Sequence, residues 1–413
     1  MVRKVDEMKH ALFISYDGMT DSLGQSQVIP YLKGLRKVGY KISLISCEKK
    51  ERFKQHKEVI KKILHDADID WYPLNYLDKL PILSAFLNAQ AIRKQTKKIH
   101  QQNPIHLLHC RSYLPAITGL YFKKKYGTKL LFDMRGFWAD ERVDGNVWKL
   151  NNPIYKLVYN YFKRYETEFL VHSDHIVSLT HNGKNEMLTW SISNLSEEKI
   201  TVIPCCVDLN LFDPNRIDTN QLTERKRQLN IDLDDYVLGY VGSIGTWYML
   251  DEMLDYFVVL KQTNPKAKFL FVTGENPDNI IQKGVQKGIS RTDLIITSVL
   301  HNEVALHIGL FDKSIFFILP SYSKKASSPT KQGEIMAMGI PLVCNAGVGD
   351  TDHIVNQFHS GSIIHNFTNE DYLKEIENSA EFNKNACIEG AKTYFSLEEG
   401  VRRYTSIYRK LIG

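Results

Sequence analysis

The sequence predicts an α/β protein built from two doubly wound domains, each a parallel sheet covered by helices. Short apolar segments alternate with helical patterns along nearly the whole chain, which favours parallel sheets. The alternation is interrupted once, by a polar stretch after residue 206, and then restarts. With 413 residues, 43% hydrophobic and 24% charged, the chain is long enough for two such domains.

The first half contains seven candidate strands separated by amphipathic or basic helical segments. The candidate strands are HALFISY, YKISLISC, IDWYPL, IHLLHC, KLLFDM, HIVSLT and ITVIPC. Helical segments such as VIPYLKGLRKVG and NAQAIRKQTKKIHQQN lie between them. We therefore predict an N-terminal domain over residues 1–205.

The second half repeats this pattern after VDLNLFDPNRIDTNQLTERKRQLNIDLDD, which we interpret as a linker and one helix. Its candidate strands are YVLGYVGSIG, AKFLFVTG, DLIITSVL, SIFFILPS, PLVCNAG and SGSIIH. We predict a C-terminal domain over residues 206–390. Apolar residues recur at helical spacing in SLEEGVRRYTSIYRKLIG, so residues 391–413 are predicted to form a helix that crosses back to the N-terminal domain.

The charge is unevenly distributed between the two halves. Residues 1–204 hold 32 basic against 21 acidic residues, a balance of +11, whereas residues 205–413 hold 21 against 26, a balance of −5. Such a basic half points to an anionic partner, which could be nucleic acid, an anionic membrane surface or a phosphate-bearing substrate. No nucleic-acid motif accompanies the charge, so we expect no nucleic-acid partner.

Other classes are disfavoured by what the sequence lacks. No apolar run approaches 18 residues, and the apolar stretch near the start is too short for a signal peptide. Six scattered cysteines without a C-x-x-C pair are typical of reduced cytosolic thiols, and no cluster resembles a metal site. We expect a cytoplasmic protein, associated peripherally with the membrane through the basic domain, with no metal and no cofactor.

Ligands of open α/β sheets bind beyond the carboxyl ends of the strands, so the loops there are the candidate sites. The segment KKASSPTKQGEIMAMG follows the buried strand SIFFILPS. Ser328 is a good N-cap and Pro329 suits the first helical position. A helix N-terminus flanked by Lys325 and Lys331 would suit a phosphate, and Glu334 could reach a ribose hydroxyl. The alternative is a capped helix with solvated lysines.

Two more loops and a group of polar residues near strand ends are also candidates. The glycine-rich GYVGSIGTWY follows a strand and precedes a helix, and DGMTDSLGQSQ, which includes Gly24 and Gln25, follows the first strand. The second of these loops could shape an acceptor pocket or be a solvated turn. The remaining polar residues near strand ends in the first half are His109, Arg111, Arg135 and Asp140. An arginine there is either an anion ligand or the partner of a neighbouring carboxylate.

These segments, in this order, resemble the family 4 retaining glycosyltransferases of the GT-B fold. KITVIPCCVDLNLFDP resembles the family's interdomain phrase, and YVLGYVGSIG resembles the start of its C-terminal domain. FDKSIFFILPS followed by GEIMAMGIPLVCNAGVGDTDHIV resembles its donor-binding motif. YFSLEEGVRRYTSIYRKL resembles its terminal helix, so the similarity covers nearly the whole chain.

The resemblance implies two Rossmann-like domains that face each other across a cleft, with the donor held mostly by the second. It implies metal-independent transfer with retention from a nucleotide sugar, UDP- or GDP-linked, to a glycan or lipid-linked glycan of cell-surface polysaccharide synthesis. By motif position Glu334 would bind the ribose, and Ser328 and Thr330 would hold the diphosphate. The full set of expected donor-binding residues is Gly242, Ser243, Thr246, Tyr248, Gly274, Ser328, Pro329, Thr330 and Glu334. The expected acceptor-side residues are Gly24, Gln25, His109 and Asp140.

The sequence departs from the family pattern at the reaction centre. Ser243 and Tyr248 stand where the family has an Arg and a Lys that clamp the diphosphate, and Ala326 replaces the first Glu of its Glu-x7-Glu motif. Arg135 stands in place of a frequent His. Because an uncompensated diphosphate in a low-dielectric site is costly, we hypothesise that other cations serve instead. The catalytic cations expected on this basis are Lys325, Lys331, Arg111 and Arg135.

Two alternatives remain open at this point. The same departures would suit a non-catalytic scaffold or partner subunit that retains the fold, with or without nucleotide binding. A GT-B-shaped epimerase or phosphorylase is the other alternative, although no Lys-bound cofactor motif and no epimerase phrase supports it.

Overall fold

The computed structural model describes residues 8–78, 81–377 and 382–413, and the chain forms two compact units. The first unit contains the chain up to Pro204 together with Leu397–Gly413, and the second contains Cys205–Ser396. Each unit is a parallel sheet with helices, so the predicted fold class is confirmed.

The first unit is built on a seven-stranded parallel sheet of order β3-β2-β1-β4-β5-β6-β7. Its strands are β1 His10–Ser15, β2 Lys41–Glu48, β3 Ile69–Asn75, β4 Leu107–Arg111, β5 Lys129–Asp133, β6 His175–Ser178 and β7 Ile200–Val202. Its helices before the domain boundary are α1 Ser22–Gln27, α2 Ile29–Lys37, α3 Lys50–Asp66, α4 Pro81–Gln102, α5 Tyr113–Tyr126, α6 Trp138–Asp144, α7 Pro153–His172 and α8 His181–Thr189. The central strand β1 is buried along its whole length, as expected of a parallel strand with helices on both faces.

The second unit has a six-stranded parallel sheet of order β10-β9-β8-β11-β12-β13. Its strands are β8 Tyr236–Val241, β9 Ala267–Val272, β10 Leu294–Thr297, β11 Lys313–Phe316, β12 Leu342–Asn345 and β13 Gly361–Ile364. Its helices are α9 Thr219–Gln228, α10 Leu250–Thr263, α11 Pro277–Gln286, α12 Val304–Ile308, α13 Thr330–Ala337, α14 Thr351–Phe358, α15 Asn369–Glu377 and α16 Lys384–Gly390. A π-helical turn, Ala391–Phe395, ends the unit.

The last helix, α17 Leu397–Ile412, belongs to the first unit, where it packs on α2 and β4. A Cβ on Gly34 would lie 2.5 Å from the side chain of Val401, so glycine allows the close approach of α2 and α17. The ring of Tyr404 packs edge-on against Tyr31, and Tyr408 is fully buried. The apolar stripe predicted on this helix is therefore its packing face.

Both strand orders reverse direction once, between β1 and β4 in the first unit and between β8 and β11 in the second. At such a switch point the loops that follow the two central strands diverge and leave a crevice for ligands. The loops after these four strands are therefore where each unit can hold a ligand.

Candidate functional site

In the second unit the loops after β8 and β11 are joined by backbone hydrogen bonds. The Met249 N–H donates to the Phe317 carbonyl at 3.0 Å, and the Leu319 N–H donates to the Trp247 carbonyl at 2.8 Å. The glycine-rich loop is thereby tied to the segment that leads into α13.

Lys331 lies inside this pair of loops, in a cage of two tyrosines. Its Nζ donates to the Tyr240 hydroxyl at 2.8 Å and lies 4.1 Å and 3.8 Å from the ring centroids of Tyr240 and Tyr248. Aromatic faces attract a cation, which partly replaces the water that the ammonium has lost. Burial lowers the pKa of Lys331 well below its ordinary value, and the carboxylate of Glu334 opposes that effect. The lysine expected to be a solvated or phosphate-binding residue is thus a buried one, 7% exposed.

The Lys331 ammonium reaches the backbone of the glycine-rich loop. Gly242 has a φ of +110°, which favours glycine, and a Cβ there would lie 3.2 Å from Nζ. The Tyr240 hydroxyl, which accepts from the lysine, donates to the Ser243 carbonyl at 2.5 Å. Lysine, tyrosine and loop backbone therefore form one continuous arrangement at the switch point.

Glu334 lies on the same helix, about one turn beyond Lys331. Burial raises the pKa of Glu334 to about 7, and the charge of Lys331 opposes the rise. Its Oε1 lies 4.0 Å from Nε2 of His301, in the loop after β10. This carboxyl group changes charge near neutral pH, beside an imidazole.

The other lysines of the segment have different surroundings. Lys324 is buried with Nζ 3.7 Å from the ring centroid of Trp247, whereas Lys325 is exposed with Nζ 5.2 Å from that of Tyr322. Ala326, where a Glu would be expected from the family pattern, is buried. Of the two lysines named as catalytic candidates, Lys331 is buried between the two loops and Lys325 is exposed to solvent.

One detail of the predicted helix start is wrong. The N-cap is Pro329 rather than Ser328, and α13 begins at Thr330. Pro329 has an extended backbone (φ −68°, ψ 115°), and the Ser328 Oγ instead accepts a hydrogen bond from the Cys205 N–H at 3.2 Å. The Ser328 hydroxyl oxygen thus bonds to a backbone N–H that is distant in sequence, and it does not cap α13.

The remaining donor-side candidates lie around this centre. Ser243 and Thr246 are exposed in the glycine-rich loop, and Thr330 is half-buried at the first position of α13. Gly274 is exposed after β9, and a Cβ there would meet only the Ser298 Oγ, at 3.9 Å.

In the first unit the loop after β1 is organised by one buried carboxylate. Glu48 accepts hydrogen bonds from the Met19 N–H at 2.7 Å, from the Thr20 N–H at 3.1 Å and from the Thr20 hydroxyl at 2.5 Å. Gly24 packs under this loop, because a Cβ would lie 2.3 Å from the Gly18 carbonyl oxygen, and the exposed Gln25 reaches the Thr20 carbonyl at 3.3 Å. The loop therefore has a fixed conformation.

Arg111 and Arg135 lie at the carboxyl ends of β4 and β5, and each has a carboxylate neighbour. Arg111 Nε lies 3.4 Å from Asp17 Oδ2, and Arg135 Nη1 lies 3.8 Å from Asp133 Oδ1. Both guanidinium groups are largely buried, at 5% and 7% side-chain exposure. Of the two interpretations of these arginines, the neighbouring carboxylate is present for both.

His109 and Asp140, the other acceptor-side candidates, are buried in hydrogen-bond networks. His109 Nδ1 lies 2.9 Å from the Tyr408 hydroxyl, and burial lowers its pKa although Asp133 opposes the effect. Asp140 accepts from the Tyr159 hydroxyl at 2.8 Å and from Lys163 Nζ at 2.9 Å, which joins α6 to α7. Both residues hold elements of the first unit together.

Two family models match the chain, one in each half. Glycosyltransferase Family 4 matches residues 26–211, and Glycosyl transferases group 1 matches residues 222–392. This chain is a glycosyltransferase of the family 4 type.

A curated relative and two solved structures extend the comparison. The capsular polysaccharide biosynthesis glycosyltransferase CapM of Staphylococcus aureus is 23% identical over 183 residues, 44% of this chain and 46% of that protein. The match thus spans less than half of either protein. A glycosyltransferase from Rickettsia africae superposes with a TM-score of 0.72 at 17% identity, covering 98% of this chain and 99% of that one. Anabaena Alr3699/HepE in complex with UDP-glucose superposes with a TM-score of 0.70 at 12% identity, covering 97% and 100%.

Within the described part of this glycosyltransferase, no helix combines the length and the apolar character that crossing a bilayer requires. Several residues of the site were not found from the sequence. Tyr240 lies within the candidate segment GYVGSIGTWY but was not singled out, and Glu48 ends a strand without a motif around it. Tyr404 and Tyr408 were read only as apolar positions of a helix, although their hydroxyls bond to Asp133 and His109. The spacing of four residues between these tyrosines, which places them on the same face of a helix, was the sequence feature that could have linked them.

Proposed function

We propose that this glycosyltransferase transfers a sugar with retention, without a metal ion, from a UDP- or GDP-sugar held by the second unit. The observation that carries the proposal is Lys331, a caged ammonium beside Gly242 at the switch point of β8 and β11. A departing diphosphate needs fixed positive charge, and a cation already desolvated and oriented requires little rearrangement when the charge develops.

The rest of the donor follows from the same loops. The N-terminus of α13, with Thr330 at its first position, offers backbone N–H groups to the diphosphate. Glu334 accepts hydrogen bonds from the ribose hydroxyls in its ionised form. The exposed loop residues Ser243 and Thr246 border this position.

The first unit contributes the acceptor side. Arg111 is the last residue of β4, at the switch point, and Arg135 follows the neighbouring strand β5. We assign both arginines to anionic groups of the reacting substrates. The acceptor proposed is a glycan or a lipid-linked glycan of cell-surface polysaccharide synthesis, an assignment supported by the likeness to CapM.

The experiment is a screen of UDP-, GDP- and ADP-sugars for hydrolysis and transfer, read by mass spectrometry. Lys331→Ala and Arg135→Ala are each expected to lower turnover of the accepted donor by about 100-fold or more, as for removal of a group that stabilises developing charge. The exposed Lys325 is the matched control. Because a solvent-exposed charge contributes little, Lys325→Ala is expected to change turnover less than about threefold. Turnover unchanged in Lys331→Ala and Arg135→Ala would overturn the assignment. If no nucleotide sugar bound, a non-catalytic scaffold would replace it.

We also propose that the first unit binds an anionic membrane surface through α4 and α7. Apolar side chains on both helices are exposed to solvent, Phe86 at 59% and Leu157 at 73%. A groove of about 470 Å³ between α4, α5 and α7 is lined by three basic residues, Arg93, Lys124 and Arg164, and by one acidic residue, Glu168, which pairs with Lys124. Exposed apolar residues beside a cationic groove are complementary to a bilayer that contains acidic lipids.

Flotation with vesicles of phosphatidylglycerol and phosphatidylcholine tests this surface. We expect binding that weakens with salt, and at least a fivefold loss in the Phe86→Ser/Leu157→Ser double variant, because each change removes an inserting apolar group. Leu233, exposed at 71% in the second unit, provides the matched control Leu233→Ser. Equal binding by both variants, or equal binding to pure phosphatidylcholine, would contradict the proposal.

A further inference from the structure

Asp133, the last residue of β5, is the centre of a buried polar cluster in the first unit. It is 2% exposed and accepts a hydrogen bond from the Tyr404 hydroxyl at 3.1 Å. His109 Nε2 lies 3.6 Å from the same carboxylate oxygen, and Arg135 Nη1 lies 3.8 Å from the other. Burial disfavours the charged form of Asp133, but Arg135, His109 and Arg111 more than offset this, so its pKa remains below the ordinary value.

Arg135 is held in an uncommon backbone conformation. Its φ is +58°, and the next residue, Gly136, has a φ of +117°. A residue with a side chain in the left-handed region is strained and persists where the surroundings impose it. Here the turn brings the guanidinium back toward the carboxylate two residues earlier in the chain. The position of this arginine is therefore imposed by the fold around it.

The group that orients Asp133 comes from the other end of the sequence. Tyr404 lies on α17, which packs on α2 and β4, and its hydroxyl is the hydrogen-bond donor to the carboxylate. One turn later on the same helix, Tyr408 is equally buried, but its hydroxyl bonds to His109 Nδ1 at 2.9 Å instead. Both rings thus pack against His109, but of the two hydroxyls the one that bonds to Asp133 is that of Tyr404.

We propose that Tyr404 is a positioning residue for the transfer reaction: through Asp133, the last helix of the chain sets the guanidinium of Arg135 where it meets an anionic group of a substrate. The proposal rests on the function assigned above to Arg135. A carboxylate accepting a hydrogen bond from the Tyr404 hydroxyl cannot rotate freely, and so it presents a fixed oxygen to the arginine.

The first test observes Arg135 directly and needs no substrate. The Nε–Hε signal of Arg135 is recorded in ¹⁵N-arginine-labelled protein and assigned by its absence in Arg135→Lys. Tyr404→Phe keeps the ring and removes the hydroxyl, and Tyr408→Phe is the matched control on the same helix. We expect the Arg135 signal to shift or broaden in Tyr404→Phe and to remain unchanged in Tyr408→Phe. An unchanged signal in Tyr404→Phe, or the same change in both variants, would overturn the proposal.

The second test is a double-mutant cycle on hydrolysis of UDP-glucose, with the accepted donor of the screen used in its place if that differs. Tyr404→Phe is expected to lower kcat about tenfold, with KM changed less than twofold, as for the loss of one hydrogen bond to a charged group. In an Arg135→Ala background the same substitution should have no further effect. Equal effects in both backgrounds would contradict positioning through Arg135. If Arg135→Ala alone had no effect, the assigned function of Arg135 would fail, and the resonance would still decide whether Tyr404 orients it.

Discussion

The two units have the same kind of switch point but hold their buried cations in opposite ways. In the second unit Lys331 is surrounded by the rings of Tyr240 and Tyr248. In the first unit Arg135 lies beside the carboxylate of Asp133. Aromatic faces stabilise an ammonium without neutralising it, so Lys331 retains its attraction for an incoming anion, whereas a carboxylate fixes an arginine and makes the net charge of the pair zero. This difference is consistent with the proposal that Lys331 binds a diphosphate in the second unit and that Arg135 is held in a fixed orientation in the first.

The largest effect should come from breaking the ion pair of the first unit. Asp133→Ala leaves the buried Arg135 without its carboxylate neighbour, and we expect the free energy of unfolding to fall by about 3–5 kcal/mol. Lys331→Met is the matched change in the second unit and replaces a caged ammonium with an apolar chain of similar length. We expect it to change the free energy of unfolding by less than about 1 kcal/mol. Urea denaturation of both variants measures the contrast. Equal losses would mean that the two cations are held in the same way.

Gly242 tests whether the second unit needs the close approach of lysine and loop. Gly242→Ala places a methyl group 3.2 Å from Lys331 Nζ at a φ of +110°. We expect a loss of about 3 kcal/mol in the free energy of unfolding and a drop in donor turnover of about tenfold or more. Gly245 is the control, because a Cβ there meets nothing within 4 Å. A Gly242→Ala variant as active and stable as Gly245→Ala would contradict this geometry.

Tyr240→Phe separates the ring of the cage from its hydroxyl. The hydroxyl accepts from Lys331 Nζ and donates to the Ser243 carbonyl, so its removal should cost about 2 kcal/mol and weaken UDP binding several-fold. Tyr236, at the other end of the same strand, supplies the control Tyr236→Phe. Thermal unfolding and calorimetry with UDP check the prediction. It fails if the two variants are indistinguishable.

The smallest effect concerns pH. Because the folded pKa of Glu334, about 7, lies above its ordinary value of 4.5, the folded state binds a proton more readily than the unfolded state. The contribution of Glu334 to stability is therefore fully present below about pH 4.5 and is lost as the pH rises through about 7. Glu334→Gln should flatten this part of the stability profile, measured as the free energy of unfolding against pH. An unchanged slope would mean that the carboxyl group titrates normally.

The sheets could be predicted from the sequence because each parallel strand is buried and reads as an apolar run between helical patterns. The loops proposed to hold the donor could be chosen because they follow two of those strands. The environment of Lys331 could not be predicted, since the cage is formed by tyrosines more than 80 residues away in sequence, and a lysine beside a turn resembles a solvated one. Ser328 was misassigned as an N-cap for the same reason, because its partner is the backbone of Cys205.

The most direct test of the central claim compares nucleotide with nucleoside binding. If Lys331 binds the diphosphate, Lys331→Met should weaken UDP or GDP, whichever binds, by about 100-fold or more, and leave the matching uridine or guanosine affinity unchanged. Lys325→Met, in the same segment, should leave both affinities unchanged. Isothermal titration calorimetry gives all of these values. Diphosphate affinity that is the same in wild type and Lys331→Met, or a loss shared equally by nucleotide and nucleoside, would contradict the account.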